Sequence, residues 1–138
     1  MPLKKTLNDL ADELRPTVKE INTDELARMI DGGKVAAAPE PGKAVLIDVR
    51  EQSERDAGYI PRSAHLARGV LERDIEKTLF NGDATDEDLN RPIICYCRGG
   101  HRSIMTAHNL KQMGFTDVTS VSGGYREWSE SGKTVEKP

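Results

Sequence analysis

The sequence is poor in cysteine, holding only Cys95 and Cys97. Two thiols are too few for a disulfide framework, and a reducing compartment would leave both free. Long apolar runs are also missing: nothing approaches the roughly 20 residues needed to cross a bilayer, so no membrane partner is expected. The opening MPLKKTLNDLADELRP places acidic residues where a secretory signal needs an apolar stretch and a small-residue cleavage site, and a cytoplasmic location is expected. Neither charge sign is in excess. The 20 basic and 23 acidic side chains are spread along the chain, giving a formal net charge of -3 and no electrostatic footprint for nucleic acid. His65 and His108 do not combine with the two cysteines into a zinc spacing, so no metal is expected, and no other cofactor is. Internal repeats and low-complexity segments are absent as well.

What remains is an ordinary globular composition, 36% hydrophobic and 31% charged over 138 residues. That length suits one packed domain and is short for two. Residues 3 to 20 read as the helix of an N-terminal extension, with Leu7, Leu10 and Leu14 at helical spacing and Pro16 stopping it. The expected division is an extension over residues 1–20 and a domain over residues 21–138. INTDELARMIDGG carries a helix signature: Asn22 as N-cap, Glu25 three later, an apolar face of Leu26, Met29 and Ile30, then Gly32 and Gly33. KVAAAPEPGK reads as a surface loop.

Ala44 to Val49 is an apolar run broken only by Asp48, as in a strand covered on both faces. A polar helical turn is expected over 51–57, a short strand in GYIPRSAHLA, and a helix in GVLERDIEKTLF. PIICYC, residues 92–97, reads as a buried strand. RGGHRS then opens a helix running to about Met113, with Thr106, Ala107, Leu110 and Met113 as its core face and Gly114 as its stop. Val118 to Val121 is a last strand, followed through Gly123 and Gly124 by a helix holding Tyr125 and Trp128, the latter as a core residue. The alternation predicts an α/β fold, a parallel sheet with helices on both faces and its site beyond the carboxyl ends of the strands.

Chemistry concentrates in CRGGHRS, residues 97–103, where strand, cysteine, glycine turn and helix follow without a spare residue. Gly99 and Gly100 can take positive φ and turn backbone N–H groups toward one point, an anion-binding nest at a helix N-terminus. Helix N-termini and nearby cations favour thiolate over thiol, and Arg98, Arg102 and a protonated His101 would add charge. A thiolate so placed can attack the outer sulfur of a small anionic donor such as thiosulfate, leaving a persulfide that the same N–H groups stabilise. Cys95, two residues back in a buried run, reads as a core thiol on the same face of the strand. A bond between the two is disfavoured, because side chains two apart on one strand do not reach bonding distance. Asp48 and Arg50 are expected to pair and brace the strand end. His65 and His108 read as structural or solvent-facing, and a direct catalytic role for His101 is not favoured.

Several motifs in order resemble those of the rhodanese family over residues 21–138: LIDVRE at Leu46 to Glu51, GYIPRSA at Gly58 to Ala64, CRGGHR from Cys97, and G-G-x-x-x-W from Gly123 to Trp128. The resemblance implies a rhodanese-like fold with a parallel five-stranded sheet. It also implies that Cys97 carries a sulfane sulfur as a persulfide, with Arg98, Gly99, Gly100, His101 and Arg102 forming the cradle and Ser103 opening the helix. The expected activity is a thiosulfate-type sulfurtransferase, with cyanide, a low-molecular-weight thiol or a protein as acceptor. Tyr59 and Arg62 stand where many members have His and Gly, so a different rim is expected near that turn.

Three other readings compete. A phosphatase of similar fold needs five residues between nucleophilic Cys and Arg, whereas four separate Cys97 from Arg102, making a smaller nest. An arsenate reductase would use the same kind of anion pocket. A non-catalytic interaction module, with residues 3–20 docking a partner, is opposed by the complete loop; a persulfide relay between proteins is compatible with it.

Overall fold

The computed structural model describes residues 2–138. Its centre is a parallel sheet in the order β1-β6-β5-β3-β2, with β4 added alongside β3. The strands are β1 (Lys19–Ile21), β2 (Val35–Ala36), β3 (Ala44–Asp48), β4 (Ala64–His65), β5 (Ile93–Tyr96) and β6 (Val118–Val121). The helices are α1 (Leu7–Leu14), α2 (Thr23–Asp31), α3 (Gln52–Asp56), α4 (Arg68–Leu79), α5 (Asp86–Asn90), α6 (His101–Met113) and α7 (Gly124–Glu130).

Strand periodicity explains the two cores, since successive side chains on a strand point to opposite faces. Val45 and Ile47 of β3 join Ile93 and Cys95 of β5 on one face, beneath α1, α4 and α6. Leu46, Ile94 and Tyr96 point to the other, where Leu26 of α2 and Trp128 of α7 cover them. Both central strands are buried throughout, as their near-continuous apolar sequence requires. Cys97 follows β5 directly and points to the same side as Cys95, as period-two geometry predicts.

The α/β alternation and most elements lie where the sequence places them. The reciprocal cap of α2 is formed: the Asn22 side chain accepts the Glu25 N–H at 2.8 Å, and Glu25 accepts the Asn22 N–H at 3.2 Å. Four details differ. The expected helix over residues 3–20 is shorter: α1 ends at Leu14, Pro16 sits in a 3-10 turn over Arg15–Thr17, and Lys19–Ile21 form an edge strand paired with β6. Part of the expected loop after α2 is strand β2, whose Val35 and Ala36 pair with Ala44 and Val45. With these additions the sheet has the expected five strands along its path, and β4 beside β3 as a sixth. Met113 is 42% exposed, and Ile104 takes the core place alongside Thr106, Ala107 and Leu110.

Candidate active site

The site stands at the carboxyl end of β5, flanked by β6 and β3. Cys97 is only 1% exposed, and its sulfur faces the turn that follows it. The Gly100 N–H donates to Sγ at 3.1 Å and the Ser103 N–H at 3.4 Å, with the Ser103 hydroxyl at 3.5 Å. These groups lie at and just inside the start of α6, where free N–H groups and the helix dipole favour negative charge. Of the two loop glycines only Gly100 takes positive φ, at 99°, so it makes the turn that aims the donors. Ser103, read from sequence as the opening of the helix, is its third residue and part of the cradle. Its hydroxyl is held at 2.7 Å by that of Ser120, a fully buried polar residue on β6.

The loop is held from its back by α7. The Tyr125 N–H donates to the Cys97 carbonyl at 2.8 Å, and the Arg126 N–H to that of Arg98 at 2.9 Å. This close approach explains the second glycine of the G-G-x-x-x-W segment. A Cβ on Gly124 would stand 2.5 Å from the Cys97 carbonyl oxygen and 2.6 Å from that of Arg98, at a φ of 53°. Trp128 closes the motif as a buried core residue, its indole N–H bonded to the Thr134 carbonyl at 2.8 Å.

A cleft of about 180 Å³ opens over the sulfur, lined by Leu7, Cys97, Arg98, Gly99, His101, Arg102 and Arg126. The two loop arginines are not equivalent. Arg98 is exposed at this cleft, whereas Arg102 makes a two-pronged ion pair with Glu54 of α3, both bonds 2.8 Å. Arg102 holds the Glu54 carboxyl down at about 2, against the opposing effect of burial. The positive charge expected from Arg102 is thus largely matched by a carboxylate; Arg126 of α7 also lines the cleft and is itself paired with Glu130 at 3.3 Å. Leu7, Glu54 and Ser120 lie outside the quoted motifs, and Arg126 is one of the unspecified positions of G-G-x-x-x-W.

Asp48 and Arg50 brace the neighbouring strand end as expected. Arg50 donates to both Asp48 oxygens at 2.9 and 2.8 Å and to the Gly58 carbonyl at 2.7 Å, with Tyr125 stacked 4.2 Å from the guanidinium. His65 bonds the Arg50 carbonyl, and His108 meets Thr17, so neither faces the cleft. His101 lines it. The departures in GYIPRSA have other consequences than a changed rim. Tyr59 stacks on Arg55 at 3.6 Å and pairs with Glu136, and neither it nor Arg62 lines the cleft. Arg62 instead occupies a left-handed turn at φ 66°, a conformation that a glycine adopts without strain. Cys95 is fully buried; burial, followed by the influence of Cys97, pushes its thiol up to about 12.

Known proteins agree with this architecture. The rhodanese-like domain family matches residues 22–131. A thiosulfate sulfurtransferase GlpE from Pseudomonas savastanoi pv. phaseolicola is 35% identical over 85 residues, covering 62% of this chain and 72% of that protein. A rhodanese-related protein of Thermoplasma volcanium superposes with a TM-score of 0.65 at 25% identity, covering 87% of this chain and 99% of its own. A Rhodopseudomonas palustris protein of unknown function, described as a possible tyrosine phosphatase, superposes with a TM-score of 0.75, covering 99% and 98% of the two chains; at 24% identity it speaks for the fold alone. With the family match spanning most of the chain, the protein belongs to the rhodanese-like family.

Proposed function

We propose that the protein is a sulfurtransferase that carries a sulfane sulfur on Cys97 between an anionic donor of the thiosulfate type and a thiophilic acceptor. The observation that carries this reading is the sulfur of Cys97 at the end of β5, facing the N–H groups of Gly100 and Ser103. The thiolate attacks the outer sulfur of thiosulfate; a new S–S bond forms to Sγ, and the old one breaks with its electron pair leaving on sulfite. The persulfide then passes its terminal sulfur to cyanide or a thiol, and the Cys97 thiolate is regenerated. Arg98, Arg126 and His101 draw the anion into the cleft, while Gly99 and Gly100 shape the turn. Arg102 fixes the loop to α3 through Glu54. Sulfite is a good leaving group, so no general base has to act at the bond-breaking step.

Four residues separate Cys97 from Arg102, and in this short turn the N–H groups of Gly100 and of Ser103, just past Arg102, converge on one sulfur atom. A phosphoryl group would bring three oxygens that each need a donor, which disfavours phosphatase chemistry. The test is to assay thiocyanate formation from thiosulfate and cyanide beside hydrolysis of an aryl phosphate, on one preparation. Thiocyanate formation with ping-pong kinetics and no phosphate release is expected. Phosphate release that disappears in Cys97→Ser, without thiocyanate, would contradict the reading.

A further inference from the structure

We propose that Ser120 is a positioning residue for sulfur transfer: its hydroxyl donates to that of Ser103 and so commits the Ser103 proton to Cys97 Sγ. This role rests on the persulfide reading, while one of its readouts, alkylation of the free thiolate, is independent of that reading.

Ser120 stands on β6, an interior strand between β1 and β5, in register with Glu20 on one side and Cys95 on the other. It is fully buried, as is Ser103 in the first turn of α6. A hydroxyl taken out of water needs a partner. Among the described residues the Ser120 hydroxyl has one, the Ser103 hydroxyl at 2.7 Å. Ser103 Oγ has two, that same hydroxyl and Cys97 Sγ at 3.5 Å.

Counting protons fixes the direction. The pair brings one proton from each hydroxyl, and only one of them can lie between the two oxygens. If Ser103 supplied it, the Ser120 proton would be left without an acceptor in the dry interior of the sheet. If Ser120 supplies it, the Ser103 proton is free to point at Sγ, and both donors are placed. Accepting a bond also makes Ser103 a stronger donor, because linked hydrogen bonds polarise one another. Without Ser120, the Ser103 hydroxyl is free to turn back to a carbonyl of the preceding turn, as helical serines do.

The consequence lies in how charge moves at Sγ. In the persulfide, Sγ is a neutral bridging sulfur. When the acceptor attacks the terminal sulfur, a bond forms between them, the S–S bond breaks, and its electron pair returns to Sγ as thiolate. A hydroxyl proton aimed at Sγ strengthens its bond as that charge grows, which favours departure. During loading the same bond is weakened, which restrains attack. Ser120 therefore acts on the two half-reactions with opposite sign. The charged and titratable groups around Sγ are Arg98, His101 and Arg102, with Arg126 of α7, Glu54 of α3 behind Arg102, and Cys95 on β5. None of these side chains bonds the Ser103 or Ser120 hydroxyl among the described residues, so replacing Ser120 leaves their contribution in place.

The experiment follows Cys97 alkylation by iodoacetamide against pH in the wild-type protein, Ser120→Ala, Ser120→Thr, Ser103→Ala and the double variant Ser103→Ala/Ser120→Ala. The midpoint is expected to rise by about one pH unit in Ser120→Ala and to be restored in Ser120→Thr, which keeps the hydroxyl. Adding Ser120→Ala to Ser103→Ala should move it no further, because the bond that Ser120 directs is already gone. Above all midpoints, kcat/KM for cyanide should fall about threefold in Ser120→Ala, while kcat/KM for thiosulfate rises by up to about threefold. An unmoved midpoint in folded Ser120→Ala, an equal rise in Ser120→Thr or in the Ser103→Ala background, or a joint fall of both kcat/KM values overturns the proposal and leaves the persulfide reading standing. No thiocyanate from the wild-type protein overturns the persulfide reading, and the role of Ser120 in transfer with it.

Discussion

Cys95 and Cys97 point to one face of the same strand direction, yet their sulfurs meet different surroundings. Cys97 is offered two N–H groups and a hydroxyl, while Cys95 lies fully buried in the core, between Ile47 of β3 and Ser120 of β6, with its thiol pushed up to about 12 by burial. A group so strongly held in its neutral form is a poor nucleophile at neutral pH. The two are therefore expected to respond differently to substitution. Cys97→Ser abolishes thiocyanate formation with little loss of stability. Cys95→Ser retains turnover but loses about 1–3 kcal/mol, because a hydroxyl costs more than a thiol to bury in that core. Urea unfolding and steady-state assays on both variants check this; equal loss of activity in both, with normal folding, would point to a dithiol mechanism.

Two elements outside the loop keep it in place. α7 presents its first N–H groups to the carbonyls of Cys97 and Arg98, which is possible only because Gly124 carries no side chain there. Gly124→Ala puts a methyl group into those carbonyls in a left-handed conformation, and a loss of about 3 kcal/mol or more is expected together with a displaced loop. Thermal unfolding should register the first, and a drop in kcat/KM for thiosulfate of at least about tenfold the second.

From the other side, α3 holds the loop through Glu54 and Arg102. Glu54 has its folded value lowered to about 2 from an ordinary 4.5, so the pair's contribution is complete above about pH 4.5 and lost as pH falls toward 2. Discounted for partial solvent access, it is worth about 2 kcal/mol. Glu54→Gln should flatten the decline in stability over that window. It also removes a negative charge beside the cleft, so kcat/KM for thiosulfate at low ionic strength should rise a few-fold, with the gain fading as salt is added. Unchanged acid unfolding in Glu54→Gln would show that the pair does not tie α3 to the loop.

At the scale of the whole molecule, the sheet centre and the reactive loop were legible because both are written locally. Alternating elements, apolar runs in β3 and β5, and a glycine turn directly after a cysteine need no distant partner to be recognised. The edge strands β1 and β2 were not, since two or three residues give no period and their pairing depends on β6 and β3 lying alongside. The same distinction runs through the site. Cys97, Gly100, His101 and Ser103 stand in one short segment, whereas Ser120, Arg126, Glu54 and Leu7 reach it through folding alone. The pairing of Arg102 with Glu54 could not be inferred from either segment by itself, and it leaves Arg98 as the exposed loop guanidinium at the cleft.

The central claim, that one sulfur atom resides covalently on Cys97 between the two half-reactions, is tested most directly by intact mass spectrometry under non-reducing conditions. Incubation with thiosulfate is expected to add the mass of one sulfur atom, lost again on treatment with cyanide and absent from Cys97→Ser. A wild-type mass unchanged by thiosulfate, or an equal gain in Cys97→Ser, would contradict the account.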